Sequence, residues 1–242
     1  MNLANKTVLI TGANRGIGRA LVYEALKRGA KQVYAASRVP LKIADERVTL
    51  LTLDVTNVSQ IQRAVDQVGA LDVLINNAGI AAYDDLTSPQ TVEQHLAVNL
   101  LGPLKVTNAF TPLLKRSKGA IVNNLSLAGL AALPIIPAYS ISKAAAFNMT
   151  QSLRALLAAE GVSVHAVFLG PIDTEMSRGL EVPKASPESA AAGIFDGLAN
   201  GEDEIFPDPT SASIADAWRN GAVKAMERQF AAFVPQTATS AS

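Results

Sequence analysis

Tyr139 and Lys143 stand four positions apart in the stretch Ala138-Tyr-Ser-Ile-Ser-Lys143, at the front of an alanine-rich run of helical character. At that spacing two side chains lie on one helix face, one above the other. An ammonium beside a phenol favours the phenolate, so Lys143 is expected to lower the pKa of Tyr139. That would make a proton donor usable near neutral pH. Taken alone, the pair also fits a core tyrosine next to a solvated lysine. A second stretch with chemical potential is Thr11-Gly-Ala-Asn-Arg-Gly-Ile-Gly18. Glycines at 12, 16 and 18 let the backbone turn sharply and approach a ligand closely. A helix that opens there offers free N–H groups and a positive dipole end to a phosphate. The spacing is Gly-x3-Gly-x-Gly rather than the Gly-x-Gly-x-x-Gly dinucleotide fingerprint.

These residues need a scaffold, and the chain alternates two kinds of segment. Short apolar or β-branched runs occur at 7–10, 32–36, 48–53, 71–75, 120–123, 162–168 and 204–206. Between them the period is helical near 16–28, 58–67, 90–115, 139–160 and 187–200. Runs that are apolar throughout predict strands buried on both faces. Strand–helix alternation predicts a Rossmann-like, doubly wound α/β fold, with a seven-stranded parallel sheet and helices on both sides. Gly29 and Gly161 fall where helix C-caps are expected. Only nine residues, Val39 to Arg47, join the second and third strands, too few for a normal crossover helix. A further helix is expected at roughly 211–233 and a frayed tail at 234–242. No repeat or linker divides the chain, so residues 1–242 are expected to form one domain.

Composition narrows the function. Lys plus Arg and Asp plus Glu both number 21, so nothing general draws the chain to nucleic acid or anionic membrane. It has no cysteine and two histidines, which excludes disulfides, thiolate metal sites and a cysteine nucleophile, and leaves no metal site expected. His95, His165 and Trp218 are assigned to packing. No signal peptide and no apolar run of the ~18 residues that suggest a span is seen, so a cytoplasmic protein is expected.

The end of the second strand should select the cofactor. An acidic residue there would accept hydrogen bonds from an adenosine ribose 2′-hydroxyl. This chain has Ser37-Arg38 instead, and Arg15 lies in the glycine loop. A guanidinium suits a 2′-phosphate, and serine removes a repelling carboxylate. NADP(H) is therefore favoured over NAD(H).

With TGANRGIG at 11–18, Asp54, NNAG at 76–79, Asn99, Ser126, Tyr139 and Lys143 in this order, the chain resembles the short-chain dehydrogenase/reductase family over nearly its whole length. Ser126 precedes Tyr139 by thirteen positions, the usual family interval. The resemblance implies that Tyr139 is the general acid in carbonyl reduction. Lys143 would tune it and bind the nicotinamide ribose. Ser126 would orient the substrate carbonyl, and Asn99 would hold a water linking Lys143 to solvent. Gly12, Asn14, Arg15, Gly16, Ile17 and Gly18 would hold the phosphates, with Ser37 and Arg38 at the 2′-phosphate. Asp54 and Val55 would contact adenine, and Asn76, Ala78 and Gly79 would line the nucleotide site. Gly170 belongs to the loop after the sixth strand, where Ile172 and Thr174 would hold the nicotinamide carboxamide. Leu169 stands where the family has proline. It frees φ, so this loop is expected to be looser.

Pocket positions inferred from the family are almost all apolar: Ile80, Ala81, Tyr83, Leu127 to Leu133, Ile135, Pro171, Met176 and Leu180. That favours an apolar or aromatic ketone or aldehyde, reduced reversibly to the alcohol. The same hydride chemistry on C=N or activated C=C bonds stays open, as does a non-catalytic NADP(H) sensor. The family's helices corresponding to 90–115 and 139–160 build a dimer interface, so a homo-oligomer is expected, with a tetramer favoured.

Overall fold

In the computed structural model, which describes residues 1–39 and 42–234, the apolar runs are strands. They are β1 (Thr7–Thr11), β2 (Gln32–Ser37), β3 (Val48–Thr52), β4 (Val73–Asn76), β5 (Ala120–Asn124), β6 (Ser163–Val167) and β7 (Glu204–Ile205). They form one parallel, Rossmann-like sheet in the order β3-β2-β1-β4-β5-β6-β7. The longer helices are α1 (Gly16–Lys27), α2 (Val58–Gln67), α3 (Pro89–Leu96), α4 (Gly102–Ser117), α5 (Pro137–Leu157) and α6 (Pro187–Asn200).

Strand periodicity of two explains why the runs are apolar throughout. On β1, Val8 and Ile10 join a core with Leu21 and Ala25 of α1 and Ile194 and Leu198 of α6. Leu9, pointing the other way, joins Ile61 of α2, Phe110 of α4 and Leu153 of α5. Each large side chain so buried contributes about 1.5–3 kcal/mol of transfer free energy. Gly29 and Gly161 both adopt positive φ where helical segments end.

Three expectations need correction. The run at 48–53 does not form a strand buried on both faces: β3 is the sheet edge, and Thr49, Leu50 and Thr52 are exposed. The short crossover before it adds no helix among its described residues, so one face stays uncovered; Pro40 and Leu41 lie outside the described residues. The helix expected at 90–115 is interrupted by a π-helical turn, Ala97–Leu101, between α3 and α4. The helix expected at 211–233 is three short ones, α7 (Pro209–Ala212), α8 (Ala215–Arg219) and α9 (Ala222–Ala231). Asn220-Gly221 breaks it, with Asn220 closing α8 and Gly221 in extended conformation before α9. The tail beyond Val234 lies outside the described residues.

An ionic cluster anchors α9. Lys224 donates to Asp203 (3.1 Å), Glu204 (2.9 Å) and Glu227 (3.1 Å). Arg154 of α5 donates to Glu204 at 2.9 Å and also contacts Glu227. The side chains of Lys224 and Glu204 are only 3% and 2% exposed. Lys224→Met should therefore lower stability by about 2–3 kcal/mol, short of the ~3–5 kcal/mol for an orphaned buried charge because Arg154 still faces Glu204. Adding Glu204→Gln should recover part of the loss, both read as shifts of the urea midpoint.

Candidate active site

The sheet order reverses between β1 and β4, whose crossovers leave in opposite directions, and this opens a crevice at the strands' carboxyl ends. A cleft of about 1100 Å³ lies there. Along its floor run Gly12, Asn14, Arg15, Gly16, Ile17 and Gly18. The glycines are required by space. A Cβ on Gly12, at φ +67°, would lie 2.8 Å from Ala78 Cα, and one on Gly18 would lie 2.1 Å from the Gly12 carbonyl oxygen. α1 has no side-chain N-cap, unlike α2, capped by Asn57, and α6, capped by Ser186. Its first N–H groups meet the cleft uncapped, and this suits a dinucleotide pyrophosphate.

Asn77 ties the floor together. Its Nδ2 donates to the carbonyls of Thr11 (2.9 Å) and Gly12 (3.2 Å), and its Oδ1 accepts from Asn124 Nδ2 (2.9 Å). The Asn124 carbonyl in turn accepts from Lys143 Nζ at 2.7 Å. Hydrogen bonds thus run from the glycine loop across β4 and β5 to Lys143.

Tyr139 and Lys143 both line the cleft, on the first turns of α5. Two loops meet at the start of that helix. Asp84 accepts from Ala138 N–H (3.2 Å), and Ser140 Oγ accepts from Leu133 N–H (3.1 Å). Lys143 Nζ lies 5.5 Å from the Tyr139 ring centroid, over the ring. The electrostatics differ from the sequence expectation. Burial pushes the Tyr139 phenol up to about 12, against a smaller opposing pull from the Ser126 hydroxyl. Burial also lowers Lys143 to about 8. Lys143 therefore does not lower the pKa of Tyr139 below its ordinary value, because desolvation outweighs an ammonium committed to the Asn124 carbonyl. The phenol is fully protonated at neutral pH.

Asn99 lies in the π-helical turn. Its Nδ2 donates to the Ile80 carbonyl and to Ser142 Oγ, both at 2.9 Å, and its Oδ1 accepts from Ile80 N–H at 2.9 Å. Both amide hydrogens are used, so the Asn99 side chain can offer a water only its oxygen. Gly79 brings the backbone against this group: a Cβ there would lie 3.1 Å from Asn99 Oδ1 and 3.8 Å from Lys143 Nζ.

At the far end, Ser37, Arg38, Asp54 and Val55 line the cleft, with Ala78 and Gly79 further along. Burial raises the Asp54 carboxyl, but the Thr56 hydroxyl and N–H and the Arg38 charge together hold it below its ordinary value. Arg15 pairs with Glu175 across the mouth. Thr174 also lines the cleft, its Cγ2 3.1 Å from where a Gly16 Cβ would be.

Four expected site positions lie elsewhere or behave differently. Asn76 is buried inside the sheet and donates to Thr107 Oγ1 (3.0 Å) and Asn123 Oδ1 (2.8 Å); strand alternation turns it away from the cleft and leaves Asn77 facing it. Ile172 packs into the core beside α6, and its carbonyl accepts from Ser177 Oγ at 2.6 Å. Gly170 is a packing glycine: a Cβ would lie 2.5 Å from Asp208 Oδ1, and its N–H donates to Asp208 Oδ2 at 2.8 Å. Leu169 does line the cleft, but its loop is not loose, since its carbonyl accepts from Leu127 N–H at 3.0 Å and Gly170 is held by Asp208. Asn77, Asn124 and Glu175 were missed. Asn77 alone left a signal, the doubled asparagine of NNAG, and the other two depend on contacts between distant segments.

A family model described as short chain dehydrogenase matches residues 6–184. The chain belongs to the short-chain dehydrogenase/reductase family. Among solved structures it is similar to a short chain dehydrogenase from Burkholderia cenocepacia in complex with NADP, at 36% identity and TM-score 0.87, covering 97% of this chain and 100% of that one. An uncharacterized oxidoreductase of Thermotoga maritima is 36% identical over 77% of this chain and 79% of the relative. The 11-beta-hydroxysteroid dehydrogenase-like 3 protein of Arabidopsis thaliana is 31% identical over 84% of this chain and 74% of the relative. This short-chain dehydrogenase/reductase is thus an oxidoreductase. Among its described residues no helix is long and apolar enough to cross a membrane, and no group of metal-ligating side chains occurs.

The depressed Lys143 value has a thermodynamic consequence. The ordinary value is 10.5 and the folded one about 8, so between them the unfolded chain holds a proton that the folded enzyme has lost. Stability must then rise with pH across that window, by at most ~1.4 kcal/mol per pH unit for one proton. Urea unfolding of the cofactor-free enzyme from pH 7 to 10 should show wild type gaining stability relative to Lys143→Met. A constant difference between the two would contradict the burial argument.

Proposed function

We propose that this enzyme uses NADPH to reduce an apolar or aromatic ketone or aldehyde to the alcohol, reversibly, with Tyr139 as the proton donor. The observation that carries this reading is a protonated phenol beside Ser126 and Lys143, in the same cleft as the glycine loop and Arg38. NADPH, when bound, supplies the hydride to the carbonyl carbon. Tyr139 gives its proton to the carbonyl oxygen, which the Ser126 hydroxyl holds in place. Lys143, fixed by Asn124, offers its ammonium to a ribose hydroxyl and to the developing phenolate, so the shift that burial imposes is offset as Tyr139 ionises. Asn99 links the Ile80 loop to Ser142 on α5 and orders any water that re-protonates the lysine.

Arg38, with Ser37 and Arg15, takes the 2′-phosphate, and NADP in the Burkholderia relative supports that choice. Arg15 would have to leave Glu175 to reach it. Asp54 and Val55 hold the adenine. Ile80 and Met176 line the cleft, and Tyr83, Leu133 and Ile135 are exposed on the loops that flank α5, which supports an apolar and open substrate site. The chain works as a homo-oligomer packed through α4 and α5; exposed Ile141 and Leu156 on α5 and Leu101 before α4 support that surface.

Loss of NADPH absorbance over a panel of aryl, alkyl and cyclic ketones, run in parallel with NADH, tests the reading. Turnover should be much faster with NADPH, and Arg38→Asp should invert the preference. Tyr139→Phe should lose turnover by about 10²–10⁴-fold while still binding NADPH, as expected for a general acid. Equal use of NADH would overturn the Arg38 assignment. A Tyr139→Phe enzyme as fast as wild type would overturn the proton-donor role.

A further inference from the structure

α9 is amphipathic with its polarity reversed. Two of its three charged side chains point inward, where Lys224 and Glu227 meet Arg154, Asp203 and Glu204. Its large apolar side chains point out: Val223 is 58% exposed, Met226 50%, Phe230 57%, and Phe233, on the closing turn, 81%. Among the exposed residues of α9 only Arg228 is charged. A surface helix ordinarily buries its apolar stripe and solvates its charges. Here the buried ionic cluster holds the helix the other way round, so the stripe needs a cover that the chain's own core does not supply. The next residues, Pro235 to Ser242, carry no large apolar side chain.

We propose that α9 packs antiparallel against α9 of a second copy of this chain. The stripe spacing is three, four and three residues, the a/d pattern of a helix–helix seam. It is also self-complementary. About a two-fold axis midway between Met226 and Phe230, Val223 faces Phe233 and Met226 faces Phe230, so each smaller side chain meets an aromatic one. Closed two-fold pairing is the commonest oligomeric arrangement and needs one patch that fits itself. The four side chains expose on the order of 400–500 Å², about half of the ~800 Å² per partner in a standard interface. Ala222, Ala225 and Ala232, all exposed beside the stripe, permit a close backbone approach around it. This contact is separate from the one through α4 and α5 and needs neither the cleft nor its chemistry.

The test is the solution mass of the full chain at tens of micromolar by light scattering, for wild type and for Phe230→Glu/Phe233→Glu. Both side chains are exposed, so the variant should fold, and retained NADPH binding checks that it has. The expected result is a mass one half that of wild type. Register is read separately, since the natural chain has no cysteine. A mixture of Val223→Cys and Phe233→Cys proteins should form a covalent dimer on mild oxidation, and far more readily than Val223→Cys alone. An unchanged mass in the glutamate variant overturns the proposal. So does sedimentation of monomeric wild type with phosphatidylcholine vesicles that the variant does not share, which would make the occupant a lipid surface.

Discussion

The active cleft depends on one amide side chain. Asn77 reaches back to the carbonyls of Thr11 and Gly12 and forward to Asn124, so the carboxyl ends of β1, β4 and β5 are held at one spacing. Parallel strands joined by long crossovers have no hairpin to set the position of their ends. The Asn77 bonds do that work just where the sheet order reverses. Through the Asn124 carbonyl they also reach Lys143, so the glycine loop and the first turns of α5 are parts of one polar network. A buried network of this kind gains rigidity from its satisfied members; these bonds lie between 2.7 and 3.2 Å, while the buried Asn124 Oδ1 has no partner.

Burial then sets the chemistry. Desolvation moves Tyr139 and Lys143 in opposite directions, each toward its neutral form. The cleft therefore holds a protonated phenol near an ammonium that gives up its proton more readily than usual. A phenolate formed there would need a group that shares its charge.

The C-terminal helices follow another logic. Placing Lys224, Glu204, Glu227 and Arg154 together inside carries a desolvation cost that their mutual bonds offset. What this arrangement specifies is orientation: a helix held by its charges must present its apolar residues outward. Stability of the chain and the shape of its outer surface are thus coupled through β7 and α9.

Much was legible in the residues themselves. Apolar runs marked all seven strands and period-3.6 patterns the main helices, because interior strands buried on both faces demand continuous apolar runs; the edge strand β3 carries such a run without that burial. The glycines at 12 and 18 were legible because only a missing side chain permits such close backbone approaches. Tyr139 and Lys143 were legible as a pair because four residues make one helical turn. Other features depended on contacts between residues far apart in the chain. Which asparagine of Asn76-Asn77 faces the cleft follows from where β4 ends. Gly170 and Ile172 serve packing because Asp208 and α6 lie behind them. The rise rather than fall of the Tyr139 pKa depends on how much water the fold removes. The outward face of α9 depends on where its charges find partners. Local pattern decided the elements, since propensity and periodicity act over neighbouring residues, whereas burial and partnership arise only once distant segments meet.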